Sequence, residues 1–163
     1  MRESIVSDTT ALIILGKLNR FDLFENIFQK VYIPESVFSE LSKKDDDIQK
    51  MVDKNRLFCI KEITDIETFK LLDGVLDIGE SEAIVLAKEL QMILLIDEKK
   101  GRMVAKSMGL EIIGLLGLLL LNVKKEYTSK EDAKKMLEDI KSLNFRISIK
   151  LHEQFLDKLE ELN

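Results

Sequence analysis

The sequence predicts an α/β domain: a mostly parallel sheet of four to five strands, with helices between the strands and only helices after them. Three observations carry that expectation. Short apolar runs suited to strands alternate with stretches of helical period as far as residue 125. The run Ile93-Leu94-Leu95-Ile96 is apolar without a break, as in a strand covered on both faces. Beyond residue 125 only helical periodicity remains. A length of 163 residues suits one domain with a substantial core. The expected division is an α/β unit over 1–125 and a helical extension over 126–163, packed on the same domain or at a dimer interface.

Residues 4–7 form a short apolar strand. Residues 9–18 follow with Leu12, Ile13, Leu15 and Leu18 at helical spacing, and 21–28 with Leu23, Phe24, Ile27 and Phe28, so both read as helices. Residues 31–33 are the second strand. Pro34 suits a first helical position, and Val37, Phe38 and Leu41 give the buried side of the helix it opens. Residues 42–47 are polar and read as a loop or frayed end. Residues 48–55 read as a short helix, 57–63 as the third strand, and 65–73 as a helix broken near Gly74. Residues 78–90 carry the clearest helical pattern: Gly79-Glu80-Ser81-Glu82 opens it, and Ala83, Ile84, Leu86, Ala87 and Leu90 line its apolar side. Residues 93–96 are the fourth strand. Residues 98–108 are helical, stopped by Gly109, and 111–113 form a fifth strand. Helices at 115–124, 129–143 and 149–162 complete the chain; Ser129, with Asp132 three positions on, introduces the second of these.

Hydrophobic residues make up 45% of the chain and charged ones 34%, a globular balance rather than a disordered one. A net charge of −5 argues against a protein that coats DNA through a basic surface. It leaves room for an enzyme that meets nucleic acid through metal ions and a local basic patch. The lone Cys59 rules out an internal disulfide and points to a reducing, cytoplasmic setting, with the thiol as a small core residue. The start of the chain reads as strand rather than as a secretory leader. The most apolar stretch, 112–121, is too short for a bilayer, which needs about 20 apolar residues, so no membrane partner is expected. It reads as a buried helix or as a subunit interface. A single histidine, His152, argues against a His-based zinc site or a catalytic histidine triad. No glycine-rich phosphate loop is present.

What remains is carboxylates and small hydroxyls. Asp8 ends the first strand, Glu40 lies in the helix after the second, Glu80 sits in the first turn of 78–90, and Asp97 ends the fourth strand. A parallel sheet gathers its strand ends on one edge, where ligands bind. Four acids on that edge repel one another unless a cation sits among them, and hard oxygen donors suit Mg2+ or Mn2+. Such ions polarise a phosphodiester oxygen and lower the pKa of bound water. Thr9 and Thr10, next to Asp8, can cap the following helix. On the opposite reading these are ordinary solvated acids among the 30 in the chain. Glu80, and Glu82 still more so, then serves its helix dipole.

Four segments resemble the PIN-domain ribonucleases, including the VapC-like toxins of toxin–antitoxin pairs. Asp8-Thr9-Thr10 matches the family's Asp-Thr-Ser/Thr start, and Gly79-Glu80-Ser81-Glu82-Ala83-Ile84 its Gly-Glu-x-Glu-Ala-Ile helix opening. Asp97-Glu98-Lys99-Lys100-Gly101-Arg102 matches its acidic turn, and Asn144-Phe145-Arg146-Ile147-Ser148 is similar to a further family segment. The resemblance implies a three-layer α/β/α PIN-like nuclease domain over 1–125. It places the catalytic, metal-holding acids on Asp8, Glu40, Glu80 and Asp97, and a supporting hydroxyl on Thr10. Glu82 competes with Glu80, and Glu98 with Asp97; Asp97 is preferred because it sits at the strand end, whereas Glu98 is expected to point elsewhere. The implied activity is Mg2+- or Mn2+-dependent endoribonuclease chemistry on RNA, by a homodimer that often pairs with a small antitoxin covering the acidic groove. The competing reading is a catalytically inactive PIN-like module that binds RNA or a protein. A phosphatase of the haloacid-dehalogenase type fits less well, because its second Asp falls on Thr10.

RNA must approach an acidic protein. Lys99, Arg102 and Lys106 share a helix face at i, i+3, i+7 spacing and are the expected substrate-binding residues; Lys43 and Lys44 lie just past Glu40. The plainer alternative for the helix face is solvation alone. Phe21, Phe24 and Phe28 keep helical spacing and read as core, so no stacking platform for bases is expected.

Overall fold

Five strands lie side by side in the order β3-β2-β1-β4-β5, every neighbouring pair parallel. They are β1 (Ile5–Ser7), β2 (Val31–Pro34), β3 (Phe58–Lys61), β4 (Ile93–Leu95) and β5 (Ile112–Ile113). The computed structural model describes residues 2–162; Met1 and Asn163, the outermost residues of the two expected segments, lie outside the described residues. In register, Ile5 stands opposite Val31 on one side and Ile93 on the other. Side chains along each strand alternate between the two faces, and the core divides accordingly. Ile5, Val31, Ile33 and Leu95 belong to one apolar cluster, while Val6, Tyr32 and Leu94 pack into the other.

Helices cover both faces and make three layers. On the first face lie α1 (Thr9–Lys17), α2 (Asp22–Glu25), α3 (Glu35–Lys44), α4 (Asp46–Lys54), α8 (Leu115–Lys124), α9 (Lys130–Ser142) and α10 (Ile149–Glu161). On the second lie α5 (Ile66–Leu72), α6 (Ile78–Leu90) and α7 (Lys99–Ser107). The helices α9 and α10 bury Ala133, Met136, Leu137, Ile140, Phe155 and Leu159 in the same cluster as Ile5 and Leu95. They also cover the apolar helix α8, whose Leu115, Leu118 and Leu119 are fully buried. Asn122, the buried polar residue of α8, donates to the Leu23 and Leu118 carbonyls and accepts from Asn26.

Several local expectations change. Pro34 ends β2 and stands at the N-cap of α3 rather than at its first turn, with φ −61° and ψ 153°. The helical pattern over 21–28 yields a single regular turn, α2, with three-residue turns on either side (Leu23 N–H to the Arg20 carbonyl, Ile27 N–H to the Phe24 carbonyl); Phe21, Leu23, Phe24, Ile27 and Phe28 are buried while Asp22, Glu25 and Asn26 face outward. The polar stretch 42–47 is mostly helical: α3 runs on to Lys44, and α4 begins at Asp46. Asp45 makes the break by accepting the Ile48 N–H as an N-cap. Cys59 is half-buried on the edge strand β3 rather than in the core.

Candidate active site

At β1 the strand order reverses, β2 lying to one side and β4 to the other, and the chain leaving β1 opens a crevice at the carboxyl ends of the strands. Asp8 stands there. Its N–H extends the sheet by donating to the Leu95 carbonyl (3.1 Å), and its backbone takes the N-cap position of α1. The carboxylate makes no capping bond. It is 5% exposed, and its Oδ1 has no hydrogen-bond partner. Burial holds this carboxyl well above the usual range, and the charges of Asp97, Glu80 and Asp77 push the same way against the Asp97 backbone N–H.

Glu40 reaches the crevice from α3. Its Oε2 accepts from Thr9 Oγ1 (2.7 Å), and its Oε1 pairs with Lys44 (3.0 Å) one turn on. Glu80 enters from the first turn of α6, where Asp77 caps the helix by accepting the Glu80 N–H (2.7 Å). Its Oε2 is buried without a partner. Its pKa is pushed up to about 8, first by desolvation and then by the neighbouring Asp77 and Glu98. Glu98 is the N-cap of α7 and accepts the Gly101 N–H (2.9 Å). Two glycines make these approaches possible. A Cβ on Gly79 would stand 3.1 Å from Glu40 Oε2, and one on Gly101 would stand 2.9 Å from Glu80 Oε2.

Together Asp8, Thr9, Thr10, Glu40, Lys44, Asp77, Glu80 and Glu98 line a cleft of about 90 Å³, five carboxylates against one ammonium. Asp97 flanks it. Both Asp97 oxygens accept the Leu115 N–H at the start of α8 (3.1 and 3.2 Å). Burial raises its pKa to about 6 against the pull of Leu115 and Arg102. A larger hollow of about 580 Å³ lies at the other end of β4, around Met92 and Leu110, away from this cluster.

The structure therefore brings Asp8, Glu40 and Glu80 to one cleft, with Thr10 on its wall and Asp97 alongside. Glu98 does not point elsewhere: as a cap it folds back over the start of α7 and lines the cleft that Asp97 only borders. Glu82 is committed outside the cleft. It accepts the Ser36 N–H (3.1 Å), capping α3, which Pro34 has no side chain to cap. Two residues are added to those expected. Asp77 is one, and its position three before Glu80 is an N-cap signature. Thr9 is the other, since it and not Thr10 holds Glu40. Of the expected substrate contacts, Arg102 is tied to the Ile96 carbonyl (2.9 Å), while Lys99 and Lys106 are exposed and do not line the cleft.

Among the described residues no three acidic, His or Cys side chains are already drawn into a closed set of metal ligands. The donor chemistry nevertheless fits a hard divalent ion. All donors are oxygens, and a buried oxygen on Asp8 and another on Glu80 lack any partner. Burial first, and then repulsion among neighbouring carboxylates, disfavours the charge of both groups.

Comparison with known proteins agrees with this architecture. A family model described as a PIN domain matches residues 4–161, running on through α9 and α10. Among solved structures, a PilT N-terminus domain protein from the hyperthermophilic archaeon Sulfolobus solfataricus P2 is similar. Its TM-score is 0.55 and its sequence identity 24%, with 71% of this chain and 89% of that one covered. At that identity the likeness speaks to the fold alone. No curated protein matches the chain significantly.

Proposed function

Because the chain belongs to the PIN-domain family, whose members are usually nucleases and generally use divalent metal ions, we propose that it is a Mg2+- or Mn2+-dependent endoribonuclease. It hydrolyses RNA phosphodiester bonds at the acidic cleft. The observation that carries this reading is the pair of buried, unpartnered oxygens on Asp8 and Glu80 among five carboxylates. Asp8, Glu40 and Glu80 would hold the ion, with Glu98 and Asp97 as the two candidates for the fourth place. The ion supplies Lewis acidity and the positive charge the cleft lacks.

The chain's own residues do the positioning. Asp8 is fixed by the sheet through its backbone, so its carboxylate is aimed before any ligand arrives. Thr9 fixes one oxygen of Glu40, and Lys44 holds the other. Glu80 keeps its proton to about pH 8, so cation binding near neutral pH releases a proton from this group. The same proposal takes the protein as the toxin of a toxin–antitoxin pair, acting in the cytoplasm as a homodimer whose small antitoxin partner covers the cleft. No helix among the described residues is long and apolar enough to cross a membrane.

The test is cleavage of single-stranded RNA with Mn2+, comparing the natural chain with Asp8→Asn and Glu80→Gln. Loss of cleavage in both variants is expected, alongside an Mn2+-dependent rise in melting temperature for the natural chain only. Equal activity in all three would end the proposal. RNA binding that ignores both metal and the amide substitutions would favour an inactive binding module instead.

A further inference from the structure

A second groove adjoins the acidic cleft across Asp97. It runs between β5, α8 and α10, has a volume of about 410 Å³, and takes Asp97, Arg102, Phe145, Arg146, Gln154 and Lys158 into its lining. Its charge is opposite to that of the chain as a whole. Three cations face one carboxylate in a protein of net charge −5. That carboxylate, Asp97, is already engaged by the Leu115 N–H and lies beside Arg102. Arg146 and Lys158 are exposed, and neither makes an ion pair among the described residues. Three cations converging on one groove, beside a cluster of acids that a cation can bridge, mark a place for a polyanion.

We propose that this groove is the track for single-stranded RNA leading into the acidic cleft, with Arg146 and Lys158 contacting successive phosphates. The inference rests on the reading of the protein as one that acts on RNA. An unpaired strand is the occupant because the groove has an apolar wall, and only unstacked bases can turn their faces to it. Half-buried Phe145 and the exposed Leu151 give the wall an apolar component against which a base packs. Phosphate contacts of this kind set register and orientation without reading sequence. Both cations come from the segment after residue 125, so the last two helices supply substrate contacts as well as completing the core.

The test is binding of a fluorescein-labelled oligouridylate, followed by anisotropy across a salt series with EDTA present, so that metal-dependent cleavage does not intervene. Each phosphate contact on a single strand contributes about 0.7 to the slope of log affinity against log salt. The Arg146→Ala/Lys158→Ala double variant is therefore expected to lower that slope by about 1.4. Arg146→Lys/Lys158→Arg should restore it. Both positions are exposed, and an unchanged melting curve with an unchanged Mn2+-dependent rise would show that fold and cleft are intact. A slope unaltered by the double variant overturns the proposal while leaving the nuclease reading standing. So does competition by polyglutamate as strong as that by unlabelled RNA, because the groove would then be a protein-docking site. A lowered slope in a protein that never cleaves RNA upholds the track and retires the nuclease.

Discussion

Raising the pH in the presence of EDTA should destabilise the protein, and a divalent ion should remove the effect. The pKa of Asp97 lies near 6 rather than 3.8, that of Glu80 near 8 rather than 4.5, and that of Asp8 is also raised. All three groups hold a proton more tightly when the chain is folded. Between the unfolded and folded values the native state therefore binds more protons, and stability falls as pH rises. It is fully present below about pH 4 and is lost progressively through about pH 6 and pH 8. At about 1.4 kcal/mol per pH unit, Asp97 accounts for roughly 3 kcal/mol. Glu80, about half open to water, is screened, and its larger displacement is discounted to about 2 kcal/mol. Between pH 5 and pH 8 only the part of the Asp97 contribution that lies above pH 5, about 1.4 kcal/mol, and about three quarters of that of Glu80 are lost, roughly 3 kcal/mol together. For a chain of this length each kcal/mol moves the melting temperature by about 2–4 °C, giving a fall of roughly 6–12 °C. Calorimetric melts in EDTA across that window measure it. Millimolar Mn2+ should flatten the curve by supplying the missing charge, and Glu80→Gln should reduce its slope. A melting temperature that stays level or rises from pH 5 to pH 8 without metal would refute the reasoning.

Thr9→Val removes the hydroxyl that fixes Glu40; the loss of a hydrogen bond to a charged group predicts about 1.5–3 kcal/mol of destabilisation in melts and weaker Mn2+ binding by titration calorimetry. Glu82→Ala should cost about 1 kcal/mol through the uncapped start of α3, with RNA cleavage retained; abolished cleavage would return Glu82 to the metal set. In Gly101→Ala the new Cβ would stand 2.6 Å from Ile96 Cδ1 and 2.9 Å from Glu80 Oε2, so both the melting temperature and the Mn2+-dependent rise should drop. Glu98→Gln should weaken Mn2+ binding more than Asp97→Asn does, since Glu98 lines the cleft and Asp97 borders it; the reverse ranking would assign the fourth place to Asp97.

The sheet and most of its helices were legible because each signal was local. The unbroken apolar run at 93–96 became β4, flanked by β1 and β5, and the helical pattern at 78–90 became α6 at its expected limits. The misreadings came where local pattern does not set the length of an element. Over 21–28 the apolar side chains are buried as their spacing implies, but three-residue turns replace the regular helix on both sides and it is one turn long. Around the cleft the sequence located the segments but not the division of labour. Whether Glu80 or Glu82 faces the cleft depends on α3, which arrives from more than 40 residues away and takes Glu82 through the Ser36 N–H. The choice between Asp97 and Glu98 depends on where one strand stops and two helices start. Asp97 is drawn to the start of α8 and Glu98 to that of α7, and a single sequence shows neither pull. Thr9 and Thr10 were indistinguishable for the same reason: only the position of Glu40 on α3 selects Thr9.

One feature of parallel topology explains both why so many acids are tolerated at this edge and why they are hard to interpret. Right-handed crossovers start each helix near the carboxyl end of a strand, so several helix N-termini, with their unpaired N–H groups and partial positive charge, converge on the same rim. Aspartate and glutamate are favoured there for reasons unrelated to any reaction. Asp77, Glu82, Glu98 and Asp97 all accept helix N–H groups at α6, α3, α7 and α8 respectively. Each of these acids therefore has a structural occupation that would place it at the rim even in a protein with no chemistry. Asp8 differs. It occupies an N-cap position, yet its carboxylate declines the cap and lies buried with an oxygen unpaired. Capping does not explain the placement of Asp8 as it explains that of the other four, and on the reading proposed above the unpaired oxygen is kept for a cation; Asp8→Asn should then abolish the Mn2+-dependent rise in melting temperature, and a rise that survives the substitution would leave Asp8 as a buried, protonated carboxyl.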